Sequence, residues 1–296
     1  FSLTLKQQYE ILEGLKTKER LDNFLERRNV ETKSFERQCI HCHGTGIQKI
    51  KYRKDIDTDF HASNIGSCLR KVFYDVSGYK KYAVNKNDAQ SYRTLDAGNS
   101  LHDLLQEYGR QGAFCAPEYY QAEVPIEPDL KVAEEKGLHI LPLAEKYKIR
   151  SHVDAILWGI EVPVTGIGTV SVRIGHEYKN VGSKSFSFLK GPKENHIKQA
   201  TIYNIIFDLP IMVYIYMNTD NYEIKDYPTI VNLDIWEELK KEVIEEIAYY
   251  KSIKEPPPFE KSSAALNPIE CTGKGRFTSC KYYGNICNPP LAQVRK

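Results

Sequence analysis

Thr169-Val-Ser-Val-Arg-Ile-Gly-His-Glu-Tyr-Lys-Asn-Val181 is the stretch from which the architecture can be worked out. Apolar side chains alternate with other side chains along it, and a period of two predicts a β-strand. Residues that are two apart share a face of a strand, so Glu177 and Lys179 project together. The sequence thus places a carboxylate and an ammonium group side by side on one face of a sheet.

A second strand is predicted upstream, from Lys148 to Trp158, because apolar side chains again recur with a period of two. This strand carries Asp154. Two carboxylates on neighbouring strands form an oxygen-rich pocket of the kind that suits magnesium or manganese. Lys179 would add a positive charge that can orient a water molecule or stabilise charge on a phosphate. The alternative is that all three are ordinary surface charges.

Two helices are predicted on either side of these strands. The upstream helix, Asp88 to Arg110, has a broad apolar face that includes His102, and a histidine there is either a packed core residue or a ligand. The downstream helix, Pro192 to Phe207, places Gln199 and Tyr203 one turn apart on a shared face. An amide and a phenol on one face can hold a phosphate or a base edge.

The order of these residues along the chain resembles the PD-(D/E)XK nuclease superfamily, and within it the branch related to the RecB nuclease domain. The matching residues are His102, Asp154, Glu177, Lys179, Gln199 and Tyr203. The resemblance covers the chain roughly from Ser63 to Cys287, and it implies a restriction-endonuclease-like α/β fold, with a mixed central β-sheet flanked by helices. Glycine often stands three residues before the metal-binding aspartate in this branch, whereas here Ser151 does.

The resemblance implies a role for each member of the set. The ligands of a magnesium or manganese ion would be His102, Asp154 and Glu177. Lys179 would be the catalytic lysine, acting with the two carboxylates, and Gln199 with Tyr203 would contact DNA near the site. The implied reaction is metal-dependent hydrolysis of a phosphodiester bond that leaves a 5′-phosphate.

Seven cysteines occur in the 296 residues, without an evident pairing scheme. In a reducing compartment, clustered cysteines bind metal more often than they form disulfides. Four of them flank the motif residues, one before and three after: Cys68, Cys271, Cys280 and Cys287. Four thiolates suit a cubane iron-sulfur cluster, which takes one cysteine per iron. A zinc site is the alternative, although its usual C-x-x-C spacings are tighter, and unpaired thiols are the third interpretation.

One cysteine before and three after the nuclease motifs is also the arrangement in the iron-staple nucleases. This group includes the CRISPR spacer-acquisition exonucleases and the AddB helicase-nuclease subunit. The resemblance implies a structural 4Fe-4S cluster that clamps the two ends of the domain together. In the entropic description of cross-links, closing so long a loop restricts the unfolded chain and so stabilises the folded one.

Cys39 and Cys42 form a C-x-x-C knuckle followed by glycines, which resembles half of the zinc-binding repeat of J-domain chaperones. A half site lacks two of the four ligands that structural zinc takes. The candidate ligands elsewhere have no diagnostic spacing: His41, His43, His61 and Cys115. We therefore assign no metal to this knuckle, and a plain loop is the simpler interpretation.

Apolar residues make up 41% of the chain, enough for a sizeable core, and the formal net charge is only +2. Overall charge therefore does not indicate a nucleic-acid partner, but lysines cluster locally around Phe186 and Phe188. Lysines beside aromatic rings suit phosphates and unstacked bases. We divide the chain into an N-terminal helical region with a connection, residues 1–59, and a nuclease domain with the C-terminal cysteines, residues 60–296.

No apolar run is as long as a membrane span, and no cleavable export signal is evident, so we expect a cytoplasmic protein of a bacterium, an archaeon or a phage-infected cell. The expected function is that of a metal-dependent DNA exonuclease acting on single strands or ends. Its setting would be recombination, repair, phage replication or CRISPR spacer processing, with an integrase, helicase or recombinase as partner. Two alternatives stay open: a non-cutting DNA-binding or assembly subunit that keeps the iron-sulfur staple, and an RNA-processing nuclease.

Overall fold

The structure is a computed structural model that describes residues 3–31, 60–79, 82–83, 89–138, 140–261, 271, 280–283 and 285–287. Within these ranges the chain forms a five-stranded mixed β-sheet flanked by helices, which confirms the predicted α/β architecture at that level. The knuckle residues Cys39 and Cys42 lie outside the described residues. No helix in the described ranges is both long enough and apolar enough to cross a membrane.

The α-helices of the described residues are, in chain order, α1 Leu5–Leu15, α2 Thr17–Glu31, α3 Ala62–Ile65, α4 Leu69–Val76, α5 Ala89–Arg110, α6 Leu130–Glu135, α7 Leu143–Tyr147, α8 Ser183–Ser187, α9 Glu194–Ile206, α10 Leu233–Leu239 and α11 Glu246–Ile253. A π-helical turn, Lys240–Glu245, joins the last two. Short 3-10 turns occur at Pro117–Tyr119 and Phe259–Lys261.

The strands lie in the sheet in their order along the chain: β1 Tyr120–Ile126, β2 Ser151–Val164, β3 Gly168–Val181, β4 Ile211–Asn218 and β5 Ile224–Ile230. Neighbouring strands are antiparallel except β3 and β4, which run parallel. A parallel pair needs a crossover connection, and the segment with α8 and α9 supplies it. The sheet is therefore mixed because the chain inserts helices after β3.

The predicted strands and site helices are present with small shifts at their ends. The strand predicted from Thr169 to Val181 is β3. The strand predicted from Lys148 to Trp158 is β2, which begins at Ser151 and runs on to Val164. The predicted helices around His102 and Gln199 are α5 and α9. The apolar run from Leu209 to Met217 predicts a buried strand, and every residue of the corresponding β4 is buried.

Side chains of β4 alternate between two cores, which defines the two faces of the sheet. Met212, Tyr214 and Tyr216 pack with helix α9, on what we call the α9 face. Val213 and Ile215 pack with α1 and α5, on the α5 face. A strand covered on both sides reads as a continuous apolar run, which is why β4 shows no alternation in sequence.

The N-terminal helices belong to the α5 face. Ile11 and Leu15 of α1 and Leu21 of α2 are buried in the same core as β2 and β4. Helix α1 lies so close to β2 that a Cβ atom at Gly14 would stand 2.3 Å from Cγ1 of Val162. The predicted N-terminal helical region thus packs directly on the sheet.

Candidate active site and cysteine cavity

Glu177 and Lys179 of β3 project together onto the α9 face, as the period of two predicts. The Glu177 carboxylate is buried, with 1% of the residue exposed. The Lys179 ammonium forms an ion pair with Oε1 of Glu177. Tyr178, between them, points to the opposite face and packs in the α5 core. The strand therefore separates its charged residues from its apolar ones by alternation alone.

Asp154 of β2 and His102 of α5 join this pair. Oδ2 of Asp154 accepts a hydrogen bond from the backbone N–H of Tyr178, at 2.6 Å. Oδ1 of Asp154 lies 3.5 Å from Nδ1 of His102. The structure thus brings together four residues predicted from the sequence, and we call this group the carboxylate site: His102, Asp154, Glu177 and Lys179.

Charges in the carboxylate site act strongly on one another. Burial raises the pKa of the Glu177 carboxyl to about 7, and the negative charge of Asp154 adds to this, while Lys179 and His102 work in the opposite direction. Burial works to lower the pKa of Lys179, but the two carboxylates outweigh it and raise that pKa. Likewise, burial works to lower the pKa of His102, but Asp154 outweighs it and raises that pKa. The two carboxylates thus stabilise the protonated, positively charged forms of Lys179 and His102.

Helix α5 is fixed to the strands by side chains that the sequence analysis missed. Nδ2 of Asn180 donates to the carbonyl of Gly98, at 2.9 Å. Nε2 of Gln106 lies 2.7 Å from Oε1 of Glu123 and 3.5 Å from the carbonyl oxygen of Asp154. Gln106 is one helical turn after His102, so both lie on the same face of α5. This spacing could have identified Gln106 from the sequence.

A buried polar cluster supports β3 from the α5 face. The hydroxyl groups of Tyr178 and Tyr120 are hydrogen-bonded at 2.9 Å, and Nδ1 of His176 lies 3.3 Å from the Tyr178 hydroxyl. Complete burial lowers the pKa of His176 to about 3, so the ring is neutral. Helix α5 leaves room for the Tyr120 ring only because residue 109 is glycine, since a Cβ atom there would stand 2.1 Å from that ring.

Gln199 and Tyr203 of α9 share a face, as predicted, and are hydrogen-bonded to each other at 2.8 Å. Tyr203 is buried, and its hydroxyl also lies 3.2 Å from Oγ of Ser151. Ser151, the departure from the usual glycine, thus ties the start of β2 to α9. Gln199 is half-buried, so of the two it is the residue that a ligand can reach.

Cys68, Cys271, Cys280 and Cys287 line one cavity of ≈ 330 Å³, which we call the cysteine cavity. Cys68 stands at the N-cap of α4, and the other three come from the end of the described chain. None of the four forms a disulfide bond within the described residues, and all but Cys280 are buried. The structure therefore brings together the four cysteines that the sequence analysis selected, whereas Cys115 lies in the α5 core.

Asp75 of α4 holds the distal segment beside the cysteine cavity. Its carboxylate accepts a hydrogen bond from the Tyr282 hydroxyl at 2.8 Å and forms ion pairs with Lys281 at 2.6 Å and Lys71 at 2.9 Å. Burial works to raise the pKa of Asp75, but the two ammonium groups outweigh it and hold that pKa below its ordinary value. These contacts join α4 to residues around Cys280 without using a thiol. We call them the Asp75 network.

The donor chemistry of the carboxylate site fits a divalent cation. Both oxygens of Glu177 are buried, and the ion pair of Oε1 with the Lys179 ammonium offsets part of the cost of burying them. Carboxylate oxygens suit magnesium or manganese. As placed, however, the described residues contain no group of three or more His, Cys, Asp or Glu side chains close enough to share one ion. Binding would therefore require the side chains to draw together.

The thiols of the cysteine cavity suit a metal centre that takes four cysteine ligands. Burial raises the pKa of Cys287, whereas the neighbouring Arg70 guanidinium works to lower it and so favours the thiolate. A cubane cluster is wider than a single ion because each cysteine binds a different iron, so its ligands surround a space. Zinc accepts the same four donors around a single point.

No protein-family model matches the chain, and no curated protein matches it. Among solved structures, the chain is similar to one described as "Crystal structure of SSO0001", with 18% sequence identity and a TM-score of 0.42. The alignment covers 83% of this chain and 90% of that chain.

Proposed function

We propose that the chain is a metal-dependent deoxyribonuclease of the PD-(D/E)XK type, an exonuclease that acts on single-stranded DNA or DNA ends. The observation that carries the proposal is the buried Glu177 carboxylate, which pairs with Lys179 and lies close enough to Asp154 for the two negative charges to act on each other. Burying one carboxylate next to another costs stability, and a purely structural role does not require it. A bound cation would compensate the buried negative charge.

Each residue of the carboxylate site has a task in this proposal. His102, Asp154 and Glu177 would hold magnesium or manganese, which when bound polarises a phosphate and lowers the pKa of a water molecule. Lys179 is held by Glu177 and stays charged, so it can stabilise the negative charge that develops on the phosphate. Gln199, with its amide fixed by Tyr203, would position the DNA backbone.

We also propose that Cys68, Cys271, Cys280 and Cys287 hold a structural 4Fe-4S cluster, with zinc as the alternative for the same thiols. Support comes from the four cysteines that line one cavity without a disulfide bond among the described residues, and from the resemblance in cysteine order. The resemblance alone suggests a setting in recombination, repair, phage replication or CRISPR spacer processing. It alone also suggests an integrase, helicase or recombinase as protein partner.

The test is degradation of end-labelled single-stranded DNA by anaerobically purified protein with manganese. We expect cutting by the wild type and a loss of at least about 100-fold in Glu177→Gln, because the substitution removes the buried charge. Glu161→Gln, an exposed change on β2, is the matched control and should cut normally. If the wild type cuts RNA but not DNA, the RNA-processing alternative takes its place. If it binds DNA and cuts neither, it is a non-cutting subunit.

The cluster is tested on the same preparations by visible absorption and by iron and zinc content. We expect a brown protein with iron and little zinc, in both the wild type and Glu177→Gln. A colourless protein that contains zinc would overturn the iron-sulfur assignment and leave the nuclease assignment standing.

A further inference from the structure

The segment between β3 and α9, residues 183–193, carries two phenylalanines with opposite environments. Phe186 is buried, with 3% of the residue exposed, whereas Phe188 is 76% exposed. No large apolar residue in the described ranges is more exposed than Phe188. From the sequence, both rings are candidates for packing against an unstacked base. Of the two, only Phe188 is accessible to a ligand in the structure.

The 183–193 segment is held firmly on both sides of Phe188. The Lys225 ammonium donates to the carbonyl oxygens of Phe186 at 2.8 Å and Leu189 at 3.4 Å, and it lies 4.5 Å from the centroid of the Phe186 ring. The hydroxyl of Tyr227 also donates to the Leu189 carbonyl, at 2.8 Å. Phe188 is therefore an exposed ring on a fixed backbone. Little backbone entropy would be lost when a ligand packs on it.

The same segment lies next to the strand that carries Lys179. The backbone N–H of Lys193 donates to the hydroxyl of Tyr216, at 3.0 Å. Tyr216 is paired with Lys179 across β3 and β4, and its ring belongs to the α9 face. The residues that follow Phe188 thus return to the face of the sheet on which Glu177 and Lys179 project.

Three lysines give the segment a positive charge. Lys184, Lys190 and Lys193 are all exposed, and none of them forms an ion pair with a described residue. The nearby acidic residues are already occupied: Asp220 accepts hydrogen bonds from Ser183, and Glu194 pairs with Lys198. The surface around Phe188 is therefore complementary to a polyanion.

We propose that Phe188 stacks on an unpaired base of single-stranded DNA while the lysines of the 183–193 segment bind its phosphates. This inference rests on the proposed nuclease function and names the substrate form that the site prefers. A single exposed apolar residue is ordinary on a protein surface. What distinguishes Phe188 is the fixed backbone, the adjacent lysines that form no ion pair with a described residue, and the contact of its segment with Tyr216, which pairs with Lys179. Bases in a duplex are stacked already, so this surface favours single strands and frayed ends.

The first measurement is binding of a fluorescein-labelled oligothymidylate by anisotropy, in EDTA so that no cutting occurs. We expect Phe188→Ala to weaken binding by about tenfold, because one base-aromatic stack is lost. Phe188→Tyr should bind like the wild type, since it keeps the ring. Tyr9→Ala is the matched control, an exposed aromatic residue on α1, at the opposite face of the sheet, and should bind normally. Equal binding by Phe188→Ala and the wild type would overturn the proposal.

The second measurement replaces the nucleobases, using the same oligonucleotide with abasic sites. For the wild type we expect binding to weaken by a factor similar to that of the alanine substitution. For Phe188→Ala we expect a much smaller further loss, because the base and the ring are partners in one contact. Independent, additive losses would overturn stacking. If the wild type binds no DNA at all, the proposed function fails as well, whereas normal cutting with an unaffected Phe188→Ala overturns this inference alone.

Discussion

The carboxylate site takes its residues from β2, β3 and α5, whereas the cysteine cavity takes one residue from the start of α4 and three from the far end of the chain. Paired strands fix the spacing of Asp154 and Glu177 through the backbone itself. In the cysteine cavity, by contrast, the Asp75 network and short-range contacts such as Cys280 N–H to the Cys271 carbonyl hold the segments together.

Losing a ligand residue should have different consequences at the carboxylate site and at the cysteine cavity. The sheet around the carboxylate site is stabilised by its own core on both faces, so a change of charge there should affect chemistry more than stability. The cysteine cavity joins the start of α4 to the last described segment of the chain, so a lost ligand should affect stability more than chemistry.

The largest effect should follow Asp154→Asn. The amide can still accept the N–H of Tyr178, so the strand pairing stays, but the charge that favours a cation is gone. We expect the cutting rate to fall by at least about 100-fold while the melting temperature and the cluster absorption stay unchanged. End-labelled DNA degradation and thermal unfolding measure this. Asp208→Asn, at an exposed ion pair, is the control, and a large loss of stability in Asp154→Asn would contradict the comparison.

Cys287→Ser should give the opposite result. With the proposed cluster lost, we expect the free energy of unfolding to fall by about 3 kcal/mol, as for the loss of a cross-link that closes a long loop. The folded fraction should keep most of its cutting rate. Denaturant unfolding under anaerobic conditions and activity per folded molecule measure the two effects. Cys115→Ser, away from the cysteine cavity, should keep the cluster. Full stability in a colourless Cys287→Ser protein would contradict a clamping role.

Asp75→Asn should have the smallest effect, and its size should depend on pH. The pKa of Asp75 is held below its ordinary value of 3.8, so the folded state binds fewer protons and the ionised carboxylate stabilises the fold. That contribution is complete above the unfolded-state pKa and is lost as pH falls through the lower folded-state pKa. We expect a cost of about 2 kcal/mol at neutral pH, shrinking in acid. Urea unfolding of both proteins across the acid range measures it, and a difference that grows in acid would contradict the network.

Much of the fold could be predicted because it is local in the sequence. The alternation in β3 and the continuous apolar run of β4 each identify a strand from a few residues, and β3 also identifies the face of Glu177. Strand β5 was not predicted. Its sequence, Ile-Lys-Asp-Tyr-Pro-Thr-Ile, contains a proline and two charges, and all its residues are half-buried. Such a strand is tolerated at a sheet edge and has little periodic signal.

The residues of the carboxylate site could be predicted from the sequence, but the contacts that hold them in place could not. His102, Asp154, Glu177 and Lys179 were selected by residue type and order, and the structure brings them together. The contacts that hold them depend on tertiary approach, such as Gln106 to the Asp154 carbonyl, which no short-range pattern encodes. Likewise, cysteine order suggested that Cys68 meets the distal trio, but the Asp75 network that joins them was invisible in sequence.

The close packing of Gly109 against Tyr120 makes the residues allowed at these two positions depend on each other. A tyrosine at 120 fits only while residue 109 lacks a side chain, and that tyrosine reaches Tyr178 between Glu177 and Lys179. In descendants of this chain, a larger residue at 109 should therefore appear only after or together with a smaller residue at 120. Random libraries that vary position 109 while Tyr120 is kept should return glycine, and the two positions should covary in any alignment of relatives.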